Sequence, residues 1–428
     1  MGLELITIIV LLAMFIVGSI ISVNMGILGI VAAFVIGTYV SGLSVEDIYA
    51  AFPIDMFILL AGVTYLFAIA LNNGTLDLII SGGLRLVRGN VGLLPWVMFA
   101  LSALLAAVGA SSVAIGPILF PIALRLAFQH NINPILMGTL ISTGMYAGAF
   151  SPLNIFGLVV NGIMESEAIS HSPVMLFINT FIFYVLISAV VFFAFGGLRL
   201  LKNSTNAQMA AAATVDGSAV SVKEPEENGV LWYQIATLFG IGFLITMALV
   251  FEMNMGFGAF MVGLVLALMA PKKQGEIIKQ MPWPVMIMVT GIMTYVGVME
   301  QVGTMDYMTE LIASVGNPVL ASLMASYVGG VISAFASTTG FLAAVIPLSA
   351  PILQDPSMSS IGVVSALAVA ASVVDISPFS TNGALILANV QGVNERLFFR
   401  KLLIIAGLFI ALGPGLAWLL FVLIGTPW

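Results

Sequence analysis

Long apolar stretches separated by short polar connections run along nearly the whole chain. Most are about 20 residues long, enough for an α-helix to cross a hydrocarbon core. The pattern predicts spanning helices near 3–22, 25–43, 54–72, 134–162 and 173–200, and again near 231–251, 255–271, 284–301, 360–391 and 401–425. Short amphipathic pieces follow the third span of each set, at 76–90 and 304–314. Two further stretches, 92–128 and 317–353, are too long for one crossing and carry a polar interruption near the middle. Each is predicted to be a re-entrant hairpin with both ends on one side of the membrane. Residues 203–229 form the one long polar segment, a hydrophilic linker between two halves.

The polar interruptions recur at constant spacing. Ser111-Ser112 is followed by Pro121 and Ser151-Pro152, and 226 positions later stand Ser337-Thr338, Pro347 and Ser377-Pro378. Local echoes accompany them: Asn24-Met25-Gly26 against Asn254-Met255-Gly256, and Gly74-Thr75 against Gly303-Thr304. The pattern predicts two repeats, 1–202 and 230–428. Each has five spans, one hairpin (92–128, 317–353) and one broken helix (134–162, 360–391). Five crossings per repeat start the second from the opposite side, so the repeats are inverted in topology. With both hairpins re-entrant, all 12 basic residues fall on one side, cytoplasmic by the positive-inside rule, while Glu165, Glu252, Glu300 and Asp355 face out. Both termini are then outside and the linker is cytoplasmic.

Composition agrees with a polytopic all-α membrane protein: 61% of residues are hydrophobic, 7% are charged, and mean hydropathy is +1.17. The first apolar run lacks a basic leader, so it reads as a permanent span rather than a signal peptide. The absence of cysteine excludes disulfides, thiolate metal sites and cysteine nucleophiles. His130 and His171 lie in short connections, which argues against histidine catalysis, and no residue constellation supports an enzyme. No polybasic stretch points to nucleic acid.

A helix interrupted inside a membrane leaves backbone groups unpaired, which is tolerated only within protein or beside a wet cavity. Helix N-termini after a break offer N–H donors to an anion. Carbonyls before it, with hydroxyls and amides, offer the oxygen cage a hard cation prefers. The first half supplies the tip Gly109 to Ser112 and a break from Gly144 to Asn154; the second supplies Ser337 to Gly340 and Asp375 to Gly383. Asp375 is an acid deep in an apolar segment, and its repeat-mate is Ala149. It serves cation coordination, proton transfer or capping of the following half-helix. No lysine or arginine lies near any break, so an anionic substrate needs neutral donors and bound cations. That points to sodium as the coupling ion. Repeated broken segments of this kind mark a secondary carrier.

The stretch GASSVAIGPILFPIALR, Gly109 to Arg125, followed by GMYAGAFSPLNIFGLVVNG, Gly144 to Gly162, resembles the bacterial malonate/C4-dicarboxylate carrier family. The wider ion-transporter superfamily, with its divalent-anion/sodium symporters, is similar in its inverted repeats and paired hydroxyl-amide motifs. The resemblance implies a homodimer in the bacterial inner membrane and an elevator mechanism. Substrate, a small organic dianion such as malonate, would lie between the hairpin tips, with sodium beside each tip. By position, substrate binding falls to Ser111, Ser112, Asn154, Ser337, Thr338, Thr381 and Asn382. Sodium falls to Ser111, Gly148, Ser151 and Asn154 in the first half, and to Thr339, Asp375, Ser377 and Ser380 in the second. Ser112 and Thr338 stand where the symporters carry asparagine, so Asn154 and Asn382 become the candidate amides. Three other readings compete: proton-coupled transport, exchange of another organic anion, and the membrane subunit of a sodium-pumping decarboxylase.

Overall fold

The structure, a computed structural model, describes residues 2–21, 23–85, 91–200, 228–251, 253–333, 338–378 and 380–425. Among them the regular elements are all helical. The first half contains α1 (Leu3–Ile20), α2 (Met25–Phe34, extended by a π-turn over Val35–Val40), α3 (Val45–Ala50), α4 (Ile54–Asn72) and α5 (Thr75–Arg85). It continues with α6 (Leu94–Ala107), α7 (Ser112–Gln129), α8 (Pro134–Ala149), α9 (Ile155–Ser166) and α10 (Pro173–Ala194). The same order follows in the second half, as α11 (Asn228–Phe251), α12 (Met255–Met269), α13 (Gln274–Gln280), α14 (Trp283–Gln301) and α15 (Thr304–Val315). It closes with α16 (Pro318–Ser333), α17 (Thr338–Leu348), α18 (Ser360–Ser372), α19 (Thr381–Asn389) and α20 (Glu395–Trp418).

The echoed Asn-Met-Gly triplets have a local cause. Asn24 accepts from the Gly26 amide and Asn254 from the Phe257 amide, so each asparagine caps the helix it precedes. The glycine of each triplet then brings two backbones together across the halves. A Cβ on Gly26 would lie 1.9 Å from the Ile287 carbonyl oxygen, and one on Gly291 would lie 2.1 Å from the Gly26 oxygen, so α2 touches α14 backbone to backbone. The contact of α4 with α12 mirrors this, a Cβ on Gly62 meeting the Gly256 oxygen at 2.1 Å. Small residues at such crossings are what membrane helices use to approach closely.

Hydrogen bonds repeat the exchange. Thr7 on α1 pairs with Thr304 on α15 at 2.8 Å, and Asn73, just before α5, donates to Thr237 on α11 at 2.7 Å. The remaining helices form a second group with the same reciprocity: α7 packs on α19, and α9 on α17. Helix α10 is fastened to this group by polar contacts, Thr143 to Ser188 at 2.7 Å, Asn179 to Ser365 at 3.0 Å, and Tyr184 to Ser372 at 2.6 Å.

Several expectations change in detail. Five helices among the described residues are long and apolar enough to cross a membrane: Ile54–Asn72, Ser112–Gln129, Pro173–Ala194, Trp283–Gln301 and Arg396–Leu423. Other predicted spans are shorter apolar helices, and 134–162 and 360–391 each hold two half-helices. Ser112–Gln129 meets the length of a full crossing, although the sequence pattern assigns it to a hairpin arm. Helix α8 runs through Gly144 to Ala149, so the first break is Phe150 to Asn154, shorter than expected. Thr381, Asn382 and Gly383 form the first turn of α19 rather than part of the second break. The short helices α3 and α13 had no counterpart in the apolar pattern. Asn228 and Gly229 begin α11, and the rest of the predicted linker lies outside the described residues.

Candidate functional site

Both breaks follow the same local recipe. Asn154 accepts from the Phe156 amide to start α9, and Ser380 accepts from the Gly383 amide to start α19. In each half the Ser-Pro segment folds against the first turn of the new helix. A Cβ on Gly157 would come 2.0 Å from the Ser151 carbonyl oxygen, and one on its repeat-mate Gly383 would come 1.9 Å from the Ser377 oxygen. The turn between α6 and α7 relies on Gly109 at φ +102°, a left-handed conformation that costs other residues energy.

The first break is pinned to this turn. Asn154 donates to the carbonyls of Ala106 (2.8 Å) and Ala110 (3.0 Å), and Ser151 donates to Ala107 (2.5 Å). Both amide hydrogens of Asn154 are therefore engaged within the protein. In the second half Ser333 donates to the Ala371 carbonyl at 2.6 Å and lies 3.1 Å from the Thr338 hydroxyl. Ser380 donates to the carbonyls of Asp375 and Ser377, at 2.6 and 2.8 Å.

These elements enclose a cavity of about 330 Å³. From the first half its wall takes Ser111, Ser112 and Asn154. From the second it takes Thr338, Thr339, Asp375, Ser380, Thr381 and Asn382, so residues far apart in sequence share one wall. Ser337 lies outside the described residues. Gly148 and Ser151 are absent from the wall for a packing reason: Gly148 faces α6, where a Cβ would meet the Ala103 oxygen at 2.2 Å, and the Ser151 hydroxyl is turned to Ala107. Ser377 is buried behind the break, 6% exposed.

Tyr146, which the sequence places in the first break without assigning it a role, is the central polar side chain. Its hydroxyl donates to Asp375 Oδ2, which also accepts from Thr338 at 3.0 Å. Because the Tyr146 proton goes to Asp375, its oxygen accepts from Asn382 Nδ2 at 3.4 Å. This fixes the Asn382 amide: its nitrogen faces Tyr146, and its Oδ1, buried, has no hydrogen-bond partner among the described residues. The Tyr146 ring stacks on Phe156 at 6.1 Å, which holds the hydroxyl in place. A second feature concerns α7. Its N-cap Ser111 makes no side-chain capping bond, so the first-turn N–H groups of Ser112 and Val113 remain uncapped where α7 joins the wall. Among the described lining residues there is no lysine, arginine or histidine, and Asp375 is the one carboxylate.

Among the described residues several apolar helices are long enough to cross a membrane and others break around a shared polar cavity, which is the build of a polytopic membrane protein. Residues 1–149 match the family model described as "Dicarboxylate carrier protein MatC N-terminus". Among solved structures, the chain is similar to the YdaH transporter of Alcanivorax borkumensis, with a TM-score of 0.56 at 15% identity over 88% of this chain and 86% of that one. That likeness is one of fold. No curated protein matches the chain.

Proposed function

We propose that the protein is a secondary carrier for a small organic diacid, malonate or a C4 dicarboxylate, driven by sodium. The observation that carries this reading is the convergence of the breaks: residues 226 positions apart in sequence line one cavity beside uncapped helix N–H groups. The match of residues 1–149 to a dicarboxylate carrier family supports the substrate class. Sodium is co-transported cargo, held by hydroxyl and carbonyl oxygens beside the two breaks. The oxygen-rich wall and the lack of basic side chains among its described residues support this, since an anionic substrate then needs cations to balance it.

The same reading includes inverted repeats, two re-entrant hairpins and elevator-type alternating access. The glycine-crossed helices α2, α4, α12 and α14 would stay fixed at the centre of a homodimer. The group α6–α9 with α16–α19 would move with the substrate. The reciprocal contacts between halves support the repeat, and the sorting of basic residues supports re-entrant hairpins, both termini outside, and a bacterial inner membrane location. A proton-coupled alternative has one observation in its favour, the buried hydrogen bond between Tyr146 and Asp375.

Uptake of radiolabelled malonate and succinate into proteoliposomes tests the proposal. Accumulation driven by an inward sodium gradient, and lost in Ser111→Ala or Thr338→Ala, is the expected result. Uptake driven by a proton gradient alone moves the coupling to Asp375. No uptake of any diacid under either gradient rejects the carrier reading.

A further inference from the structure

The cavity is polar in two different senses at two places on its wall. Where α7 begins, Ser111 and Ser112 offer hydroxyls, and the uncapped N–H groups offer donors and the positive end of an 18-residue helix. A carboxylate suits that place. At the corner formed by Tyr146, Asp375 and Asn382 the chemistry is reversed. Tyr146 and Thr338 both donate to Oδ2 of Asp375, which leaves its Oδ1 without a hydrogen-bond partner among the described residues. Asn382 Oδ1 is buried and unpartnered in the same corner, its orientation set by the Tyr146 relay. Both acceptors of this corner thus have no hydrogen-bond donor among the described residues. A second carboxylate placed here would face an acid and a carbonyl oxygen, with no basic side chain among the described lining residues to offset the repulsion.

Resting on the carrier reading above, we propose that the species bound is a singly charged acid whose second end carries a hydrogen-bond donor. For a diacid this is the half-protonated form. Its carboxylate sits at the start of α7, and its O–H or N–H points to Asp375 and Asn382. Asn382 is then a specificity-determining residue, reading the donor end of the ligand.

Fixed-charge probes test this at one pH where malonate is doubly ionised, with sodium held constant. Malonamate, the monoamide, has one carboxylate and N–H donors; methyl malonate, the hemiester, has one carboxylate and no donor. Binding to the purified full-length protein is measured by calorimetry. Malonamate is expected to bind roughly tenfold more tightly than the hemiester, the scale of one hydrogen bond to a buried unpaired acceptor. Asn382→Leu should bring the ratio of the two affinities close to one, with the folded state checked by thermal unfolding. Asp375→Asn, a second and independent variant, should strengthen binding of malonate itself relative to malonamate. Equal binding of the two probes by the parent protein overturns the inference. So does an Asn382→Leu variant that keeps the preference while losing sodium affinity, since the unpaired oxygen then belongs to the cation. Failure of malonate and both probes to bind rejects the diacid reading itself.

Discussion

Tyr146 on α8 donates its hydroxyl proton to Asp375, which lies in the break between α18 and α19. The bond ties the broken segment of one half directly to that of the other. It has no symmetric counterpart, because the repeat-mates of the pair are Ser372 and Ala149. Ser372 instead bonds Tyr184 on α10 at 2.6 Å. A duplicated scaffold thus carries a one-sided polar centre, and the two ends of the cavity are chemically distinct.

Removing that hydroxyl isolates its contribution. In Tyr146→Phe, Asp375 keeps Thr338 as its one side-chain donor and Asn382 Nδ2 loses its partner. Hydrogen bonds to charged groups contribute about 1.5–3 kcal/mol, so affinity for the transported acid should fall on the order of ten- to a hundredfold. The concentration dependence of uptake reads this, beside a thermal unfolding curve that confirms folding. An unchanged affinity would mean that the Tyr146–Asp375 bond plays no part in binding.

Asn154 has a different task. Its two amide hydrogens hold the carbonyls of Ala106 and Ala110, so it sets the shape of the α6–α7 turn. Asn154→Asp keeps the volume, removes both donors and places an acid against two carbonyl oxygens. The Ala106 carbonyl still accepts from the Gly109 amide, so the expected cost is about 1–3 kcal/mol for the Ala110 carbonyl left unpaired. It should appear as a lowered unfolding temperature together with lost uptake. A variant as stable as the parent would show that the turn is held by other contacts.

The sequence made the positions of the breaks legible because proline and glycine punctuate helices by local sterics, and the duplication repeated the punctuation at fixed spacing. Ser111, Asn154, Thr338 and Asn382, named from that punctuation, line the cavity. The pairing of Tyr146 with Asp375 was not legible, since contact between residues 229 positions apart leaves no periodic trace. One signal was available: a hydroxyl-bearing aromatic one turn before the first Ser-Pro. Gly144 and Gly148 misled for the opposite reason. They resemble break residues, yet they serve the close packing of α8 on α6, where Cβ atoms would meet backbone oxygens.

The glycine crossings make a graded prediction about stability. Gly26→Val or Gly291→Val drives a side chain into the backbone of the facing helix, where no rotamer change can relieve it. Overpacking of this kind costs about 1–3 kcal/mol. Gly242, on the exposed side of α11, has nothing within 4 Å of a built Cβ. Gly242→Ala should be neutral or stabilise by up to about 1 kcal/mol through backbone entropy alone. Thermal unfolding in detergent separates the two classes, and equal effects would contradict the backbone-to-backbone contact.

At the far end of α9, Glu167 lies half-buried, and burial first, then the charge of Glu300, raise its carboxyl above the ordinary 4.5. A folded state that holds a proton more tightly than the unfolded chain is favoured while that proton is bound. The contribution is therefore fully present below about pH 4.5, and is lost as pH rises through the raised value. Glu167→Gln abolishes the titration. The variant should be more stable than the parent at neutral pH, with the gap closing as the solution is acidified. Glu300→Gln should lower the pH at which the parent's stability declines, because it removes the repelling charge but not the burial. Glu300 stands at the end of α14, the helix that crosses α2, whereas Glu167 ends the half-helix that follows the first break. A pH profile that shifts in Glu300→Gln thus reports how closely the two helix groups approach at this end. One that stays fixed would assign the whole shift to burial of Glu167.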